Sequence, residues 1–350
     1  MKAAVMEEVR KPLVVREVPD PKIFPGGAVV RVEANGICRS DWHAWVGDWS
    51  WFGLKLNFPH VLGHEFCGVV EEVGEGVTRV HRGQRVLVPF SQGEGHCDYC
   101  RGGQPHLCDM RVTPGIAYWG GFGRLVGVPF ADVNLVPLPD SIGFTDAASM
   151  GCRYMTSFHA LVDRAQVRAG EWVAVHGCGG IGLAAVQIAT ALGASVIGVD
   201  ISDDKLALAK SLGAVATVNA KTDNAVKAIG DLTGGGAHVS VDALGVAATC
   251  QASVMSLRRQ GRHLQIGLTS SAEKGMVLIP IDLLVLKEAS MIGSYGMPAP
   301  RFDAMLQMVQ SGKLAPGKLV SRTVPLEEAG GVLASMESFA TVGVTVIDRY

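Results

Sequence analysis

Glu171-Trp172-Val173-Ala174-Val175-His176-Gly177-Cys178-Gly179-Gly180-Ile181-Gly182 is the stretch that decides the fold. An apolar, strand-like run leads into a glycine-rich turn, and an apolar helical run from Leu183 to Leu192 follows it. Strand, glycine turn and helix in that order aim the free N–H groups of a helix start at a phosphate. Gly177 permits the tight turn, Gly179 lets the backbone approach a pyrophosphate, and Gly182 lets helix and strand pack closely. Gly180 and Ile181 complete the loop where the helix begins. The next apolar run, Ser195-Val196-Ile197-Gly198-Val199-Asp200, ends on a carboxylate placed to accept the hydroxyls of an adenosine ribose. That carboxylate would repel a 2′-phosphate, and Ile201-Ser202-Asp203-Asp204 supplies no arginine to attract one. The reading is therefore NAD rather than NADP.

Working outward, further strands are expected near 215–218, 238–242, 262–266 and 291–294, with helical segments between most of them. Such alternation implies a parallel sheet covered on both faces. Residues 1 to about 150 read differently. Short Val/Ile/Leu runs such as 69–73 and 85–88, set between Gly and Pro turns, suit a small barrel or sandwich. Pro137, Pro139 and Gly143 punctuate a linker, after which Asp146 to Leu161 reads as helix. Beyond residue 297 come a helix over Arg301–Gln310 and a last strand over 343–347. These residues are expected to return to the first domain.

Three separated stretches carry ligand-type side chains. The first is Gly36-Ile37-Cys38-Arg39-Ser40-Asp41-Trp42-His43, the second Gly63-His64-Glu65, the third Gly151-Cys152. Cys38, His64 and Cys152 make three good zinc ligands, and three protein ligands with a fourth position open mark a catalytic site. A further loop reads Glu94-x2-Cys97-x2-Cys100-x7-Cys108. Three thiolates and a carboxylate close a tetrahedral shell, which marks a structural zinc. His96 and His106 stand nearby as rivals to Glu94. Any one of these residues alone would be an ordinary core thiol or histidine; two ligand sets beside a dinucleotide loop point to chemistry.

Composition agrees with a compact globular protein of more than one domain. The chain has 350 residues, 48% hydrophobic and 18% charged, with a formal net charge of −2. It carries no basic run for nucleic acid and no apolar run long enough to span a bilayer. The start, Met1-Lys2-Ala3-Ala4-Val5-Met6-Glu7-Glu8, reaches acidic residues before an apolar signal core could form, so a cytoplasmic location is expected. Cysteine clusters in that setting bind metal or do chemistry more often than they form disulfides.

Taken together, these motifs resemble the zinc-dependent medium-chain alcohol dehydrogenases, microbial NAD-dependent branch, over essentially the whole chain. The resemblance implies a GroES-like, partly open β-barrel catalytic domain (1–150 and 297–350). It also implies a Rossmann domain with a doubly wound parallel sheet for the cofactor (151–296), and an active site in the cleft between the two. It implies two zinc ions per chain. Cys38, His64 and Cys152 would hold the catalytic one, with Glu65 behind it and Asp41 orienting His64. Ser40 and His43 would relay a proton, His43 standing near solvent. Thr156 would lie near the nicotinamide and Lys205 beside Asp200 at the ribose. For the substrate pocket we expect Trp49, Phe90 and Trp119, which suit a hydrophobic alcohol or carbonyl compound. A tetramer is expected by analogy. The competing readings are a polyol dehydrogenase, against which Cys152 and the cysteine loop argue, and a catalytically silent NADH-binding homologue, against which Ser40 and His43 argue. The chain departs from the pattern at Glu94, where a cysteine is usual. It departs again at Thr341-Val342-Gly343, where relatives often carry a basic residue.

Overall fold

The computed structural model describes residues 1–350. The chain divides into two compact units, Met1–Met155 with Gly296–Tyr350, and Thr156–Tyr295. The division falls a few residues from the 150/151 and 296/297 boundaries expected from sequence. Cys152 and Arg153 stay with the first unit because Arg153 is bonded to Glu65 there.

In the second unit, six parallel strands form one sheet, in the spatial order Ala216–Asn219, Ser195–Asp200, Trp172–His176, Ala237–Asp242, Leu257–Gln265, Ser290–Gly293. Counted along the chain this is the order 3-2-1-4-5-6 of a doubly wound sheet, which reverses direction beside the first strand. Val173, Ala174 and Val175 are fully buried, as expected for a strand with helices on both faces. The strand order therefore puts the glycine turn, at the carboxyl end of the first strand, at the position where such sheets bind ligands.

The first unit is built on the long strand Ala28–Ile37. Its first half pairs with Leu125–Val128 on one side, and it pairs along most of its length with Phe66–Val73 on the other. Its last residues pair antiparallel with Val344–Arg349, register Ile37↔Thr345 and Asn35↔Ile347. The carboxyl-terminal strand thus completes a seven-stranded sheet that curls into a partly open barrel, as a GroES-like domain does. Val30, Val32, Phe66, Val70, Val86 and Val126 fill the space it encloses. A separate three-stranded sheet contains Lys2–Met6, Val14–Glu17 and His60–Val61. No helix is long and apolar enough to cross a membrane.

The helical segment expected from 146 to 161 runs from Phe144 to Arg164 with two wide turns, Met150–Tyr154 and His159–Arg164. At the first, the Arg153 N–H leaves the helix ladder and donates to Glu65 Oε1 at 3.0 Å. The Tyr154 N–H then closes onto the Ser149 carbonyl, five residues back, at 3.3 Å. Such single wide turns recur at functional sites, and this one contains Cys152.

Candidate active site

Cys38 directly follows the long strand and caps the start of the helix Arg39–Val46. His64 follows the strand His60–Val61, and Cys152 sits in the wide turn. The folded chain brings their ligand atoms within 4.8 Å of one another, with all three residues buried. His64 Nδ1 lies 2.7 Å from Asp41 Oδ1, while His64 Nε2 is buried without a hydrogen-bond partner. A buried polar atom left unpaired is costly, and a metal ion facing two cysteine sulfurs and an imidazole lone pair would remove that cost. Cys38 is hydrogen-bonded by Cys152 and faces Arg153 and His64; together these hold its thiol well below the ordinary value despite burial. A metal ligand needs that ionised state. The residues present therefore fit a zinc ion.

Asp41 shows how the helix start shapes the centre. It is fully buried, its Oδ2 accepts from the Cys38 N–H at 2.9 Å, and its Oδ1 accepts from the Gly63 N–H at 3.2 Å. One carboxylate thus caps a helix, holds the 63–64 turn and fixes the histidine ring.

Glu65 is also fully buried, and its partner is a residue that the sequence reading missed. Arg153 donates to Glu65 Oε2 through Nε at 2.8 Å and through Nη2, and its Nη2 also reaches the Ile37 carbonyl at 3.2 Å. Burial pushes the Glu65 carboxyl up to about 7, against the downward pull of the guanidinium. The pair ties the strand after His64 to the turn holding Cys152. Breaking a buried pair of this kind costs roughly 3–5 kcal/mol. The one available signal was an arginine directly after Gly151-Cys152 in an otherwise apolar segment.

The proton-handling candidates lie on one helix. Ser40 is in the first turn of Arg39–Val46 and His43 is three residues on, so both project from one face. His43 is more enclosed than its expected place near solvent implies, with its side chain 15% exposed. Burial lowers its pKa, opposed by Asp48. Among the pocket candidates, Trp49 is buried and stacks on His43. Phe90 meets the His64 ring edge-on, with centroids 6.1 Å apart. Trp119 donates its Nε1–H to the Pro59 carbonyl at 3.2 Å and packs against the core of the amino-terminal sheet.

The second ligand set closes on itself. Glu94, Cys97, Cys100 and Cys108 bring their ligand atoms within 4.8 Å of one another, and neither His96 nor His106 joins them. The Gly95 and Glu94 N–H groups point at Cys100 Sγ and Cys108 Sγ, at 3.4 and 3.5 Å.

In the second unit, Gly177 has φ +91°, and a Cβ on Gly182 would stand 1.8 Å from the Gly177 carbonyl oxygen. A side chain is excluded at both. Nothing lies within 4 Å of a Cβ built on Gly179, the space a phosphate needs. The helix Gly180–Ala191 begins there. Asp200 Oδ2 accepts from the Cys178 N–H at 2.7 Å, and its Oδ1 from the Ile201 and Ser202 N–H groups at 2.8 and 3.0 Å. Its carboxylate thus braces the glycine turn. Thr156 Oγ1 is buried with no hydrogen-bond partner, a hydroxyl available to a ligand. Lys205 sits in the first turn of the helix Asp203–Ser211.

Known proteins resemble this chain over both of its units. Residues 25–140 match the alcohol dehydrogenase GroES-like domain and residues 180–311 the zinc-binding dehydrogenase family. An alcohol dehydrogenase of Geobacillus stearothermophilus is 39% identical over 96% of each chain. An NAD-dependent alcohol dehydrogenase of Sulfurisphaera tokodaii is 33% identical over 99% of each. The solved alcohol dehydrogenase of Thermus sp. ATN1 superposes with a TM-score of 0.91 at 31% identity, covering 100% of both chains. With relatives matched from end to end and family models on both of its units, the chain belongs to the zinc-dependent medium-chain alcohol dehydrogenases.

Proposed function

We propose that this protein interconverts hydrophobic primary or secondary alcohols and the corresponding aldehydes or ketones, using NAD and zinc. The observation that carries this is the buried triplet Cys38, His64 and Cys152 with the unpaired His64 Nε2. Bound zinc supplies a Lewis acid that lowers the pKa of an alcohol hydroxyl, and NAD supplies the hydride acceptor. Cys38, His64 and Cys152 would hold the metal. Asp41 keeps the proton on His64 Nδ1, so that the Nε2 lone pair is the one offered to the metal. Ser40 takes the alcohol proton and His43 receives it further along the relay. Trp49, Phe90 and Trp119 form an apolar substrate pocket, which would separate chain lengths by only about 1–3 kcal/mol per methylene. Glu94, Cys97, Cys100 and Cys108 hold a second, structural zinc.

Gly177, Gly179, Gly180, Ile181 and Gly182 receive the pyrophosphate. Asp200 and Lys205 bind the adenosine ribose, and Thr156 the nicotinamide. Zinc-loaded protein incubated with NAD and ethanol, hexanol or benzyl alcohol is expected to form NADH. A zinc-loaded preparation that binds NADH yet oxidises none of them would overturn the proposal.

A cytoplasmic homo-oligomer, a tetramer by the family resemblance, completes the reading. Support for self-association comes from one edge of the six-stranded sheet. In the segment that leads into the edge strand Ser290–Gly293, Met276, Leu278, Val285 and Leu286 are 70–85% exposed. An apolar patch next to an unpaired strand is a poor surface for a lone monomer. Two copies related by a two-fold axis would pair their edges antiparallel and cover both patches at once. Leu278→Asp combined with Leu286→Asp should therefore reduce the mass measured by light scattering to that of a smaller species. An unchanged mass would place the interface elsewhere.

A further inference from the structure

The helix Arg39–Val46 ends at Gly47, whose φ of +70° turns the chain straight into the tight turn Asp48–Phe52. That reversal folds Asp48 and Trp49 back onto His43. Asp48 Oδ2 lies 2.6 Å from His43 Nδ1, and the side chains are 11% and 15% exposed. The Trp49 ring stacks on the imidazole with centroids 4.8 Å apart and planes at 13°. Trp42 meets it edge-on at 5.0 Å. The ring is thus held by one nitrogen, one face and one edge.

We propose that Asp48 is a positioning residue of the proton relay. It holds the proton on His43 Nδ1, so that Nε2 is the ring atom that accepts the proton leaving the alcohol. The inference rests on the reading of His43 as a relay residue.

The chemistry follows from donor and acceptor inventories. An ionised carboxylate can only accept, so at 2.6 Å the Nδ1 must donate. A neutral imidazole has one N–H, which leaves the lone pair on Nε2. Proton uptake at Nε2 gives an imidazolium whose Nδ1–H stays on Asp48; loss of one proton to the buffer restores the starting form. Stacking on Trp49 opposes the ring flip that would exchange the two nitrogens. The other charged groups that act on His43 are Arg39, on its own helix, and Cys38, which precedes that helix. Neither is bonded to the ring in a way that sets the tautomer. Arg39 instead stacks between Trp42 and Phe339, at 3.6 and 3.9 Å from the ring centroids.

The test reads the tautomer directly. Zinc-loaded enzyme labelled with 15N-histidine is compared with Asp48→Ala, Asp48→Asn and His43→Gln, the last variant assigning the His43 resonance. The wild-type signal is expected to be that of the Nδ1–H form, and to move toward Nε2–H in Asp48→Ala. In parallel, kcat for alcohol oxidation should fall about 10- to 100-fold in Asp48→Ala, with the NADH dissociation constant changed by less than about twofold. Asp48→Asn, which keeps an acceptor oxygen, should recover part of the loss. On a His43→Gln background, Asp48→Ala should cost nothing further. A wild-type Nε2–H signal, a signal unmoved by Asp48→Ala, or an equal loss on the His43→Gln background each overturns the role of Asp48. Wild-type turnover by His43→Gln overturns the relay reading itself, a result the tautomer signal distinguishes from failure at Asp48.

Discussion

Cys38→Ser and Cys152→Ser are each expected to leave one zinc per chain instead of two and no measurable alcohol oxidation. Serine conserves the shape of cysteine, but its hydroxyl stays protonated where a thiol ionises, so the charge that holds a dication is lost. NADH binding should persist, because the glycine turn and Asp200 belong to the other compact unit. Metal analysis beside NADH fluorescence titration checks both halves. A variant that kept two zinc ions and lost activity would show that these cysteines act in some other way. Glu94→Ala provides the contrast. It should also leave one zinc, yet it should lower the thermal midpoint while turnover measured before inactivation stays near normal. The loop from Gly93 to Cys108 has few apolar side chains of its own, and a structural metal supplies order that packing does not. Equal loss of initial turnover in Glu94→Ala would contradict the separation of the two sites.

Asp200→Gly with Ile201→Arg is expected to reverse or abolish a wild-type preference for NAD of on the order of a hundredfold in kcat/KM, equivalent to roughly 2.7 kcal/mol. A carboxylate proposed to accept ribose hydroxyls would meet a 2′-phosphate as like charge, whereas a guanidinium can bind that phosphate through two hydrogen bonds. Ile201 is 64% exposed, so an arginine fits there without disturbing the core. The structure adds a second consequence. Asp200 also braces the Cys178 N–H, so the double variant should bind NADP more weakly than the wild type binds NAD. Asp200→Asn, which keeps an acceptor for that N–H, should lose less cofactor affinity than Asp200→Gly. Steady-state kinetics with both cofactors measures all three. Equal use of NAD and NADP by the wild type would remove Asp200 as the selector.

The amino-acid sequence by itself determined the features that depend on a few neighbouring residues. The turn at Gly177–Gly182 was legible because a positive φ and a missing Cβ leave a glycine signature wherever backbone must turn or approach closely. The two clusters of ligand-type side chains that the fold gathers were legible because few side-chain types can bind zinc, and the alternating strands because burial on both faces demands continuous apolar runs. Only the tertiary structure decided which distant groups meet. The wide turn at Cys152 arises because Glu65, 88 residues earlier in the chain, takes the Arg153 N–H out of the helix ladder, and nothing local announces it. The choice of Glu94 over His96 and His106 depends on how the loop closes. The enclosure of His43 depends on a chain reversal at Gly47 that brings Asp48 and Trp49 onto it. In the first case a buried carboxylate needed a partner that water could no longer supply, and in all three the partner was set by the path of the backbone through space.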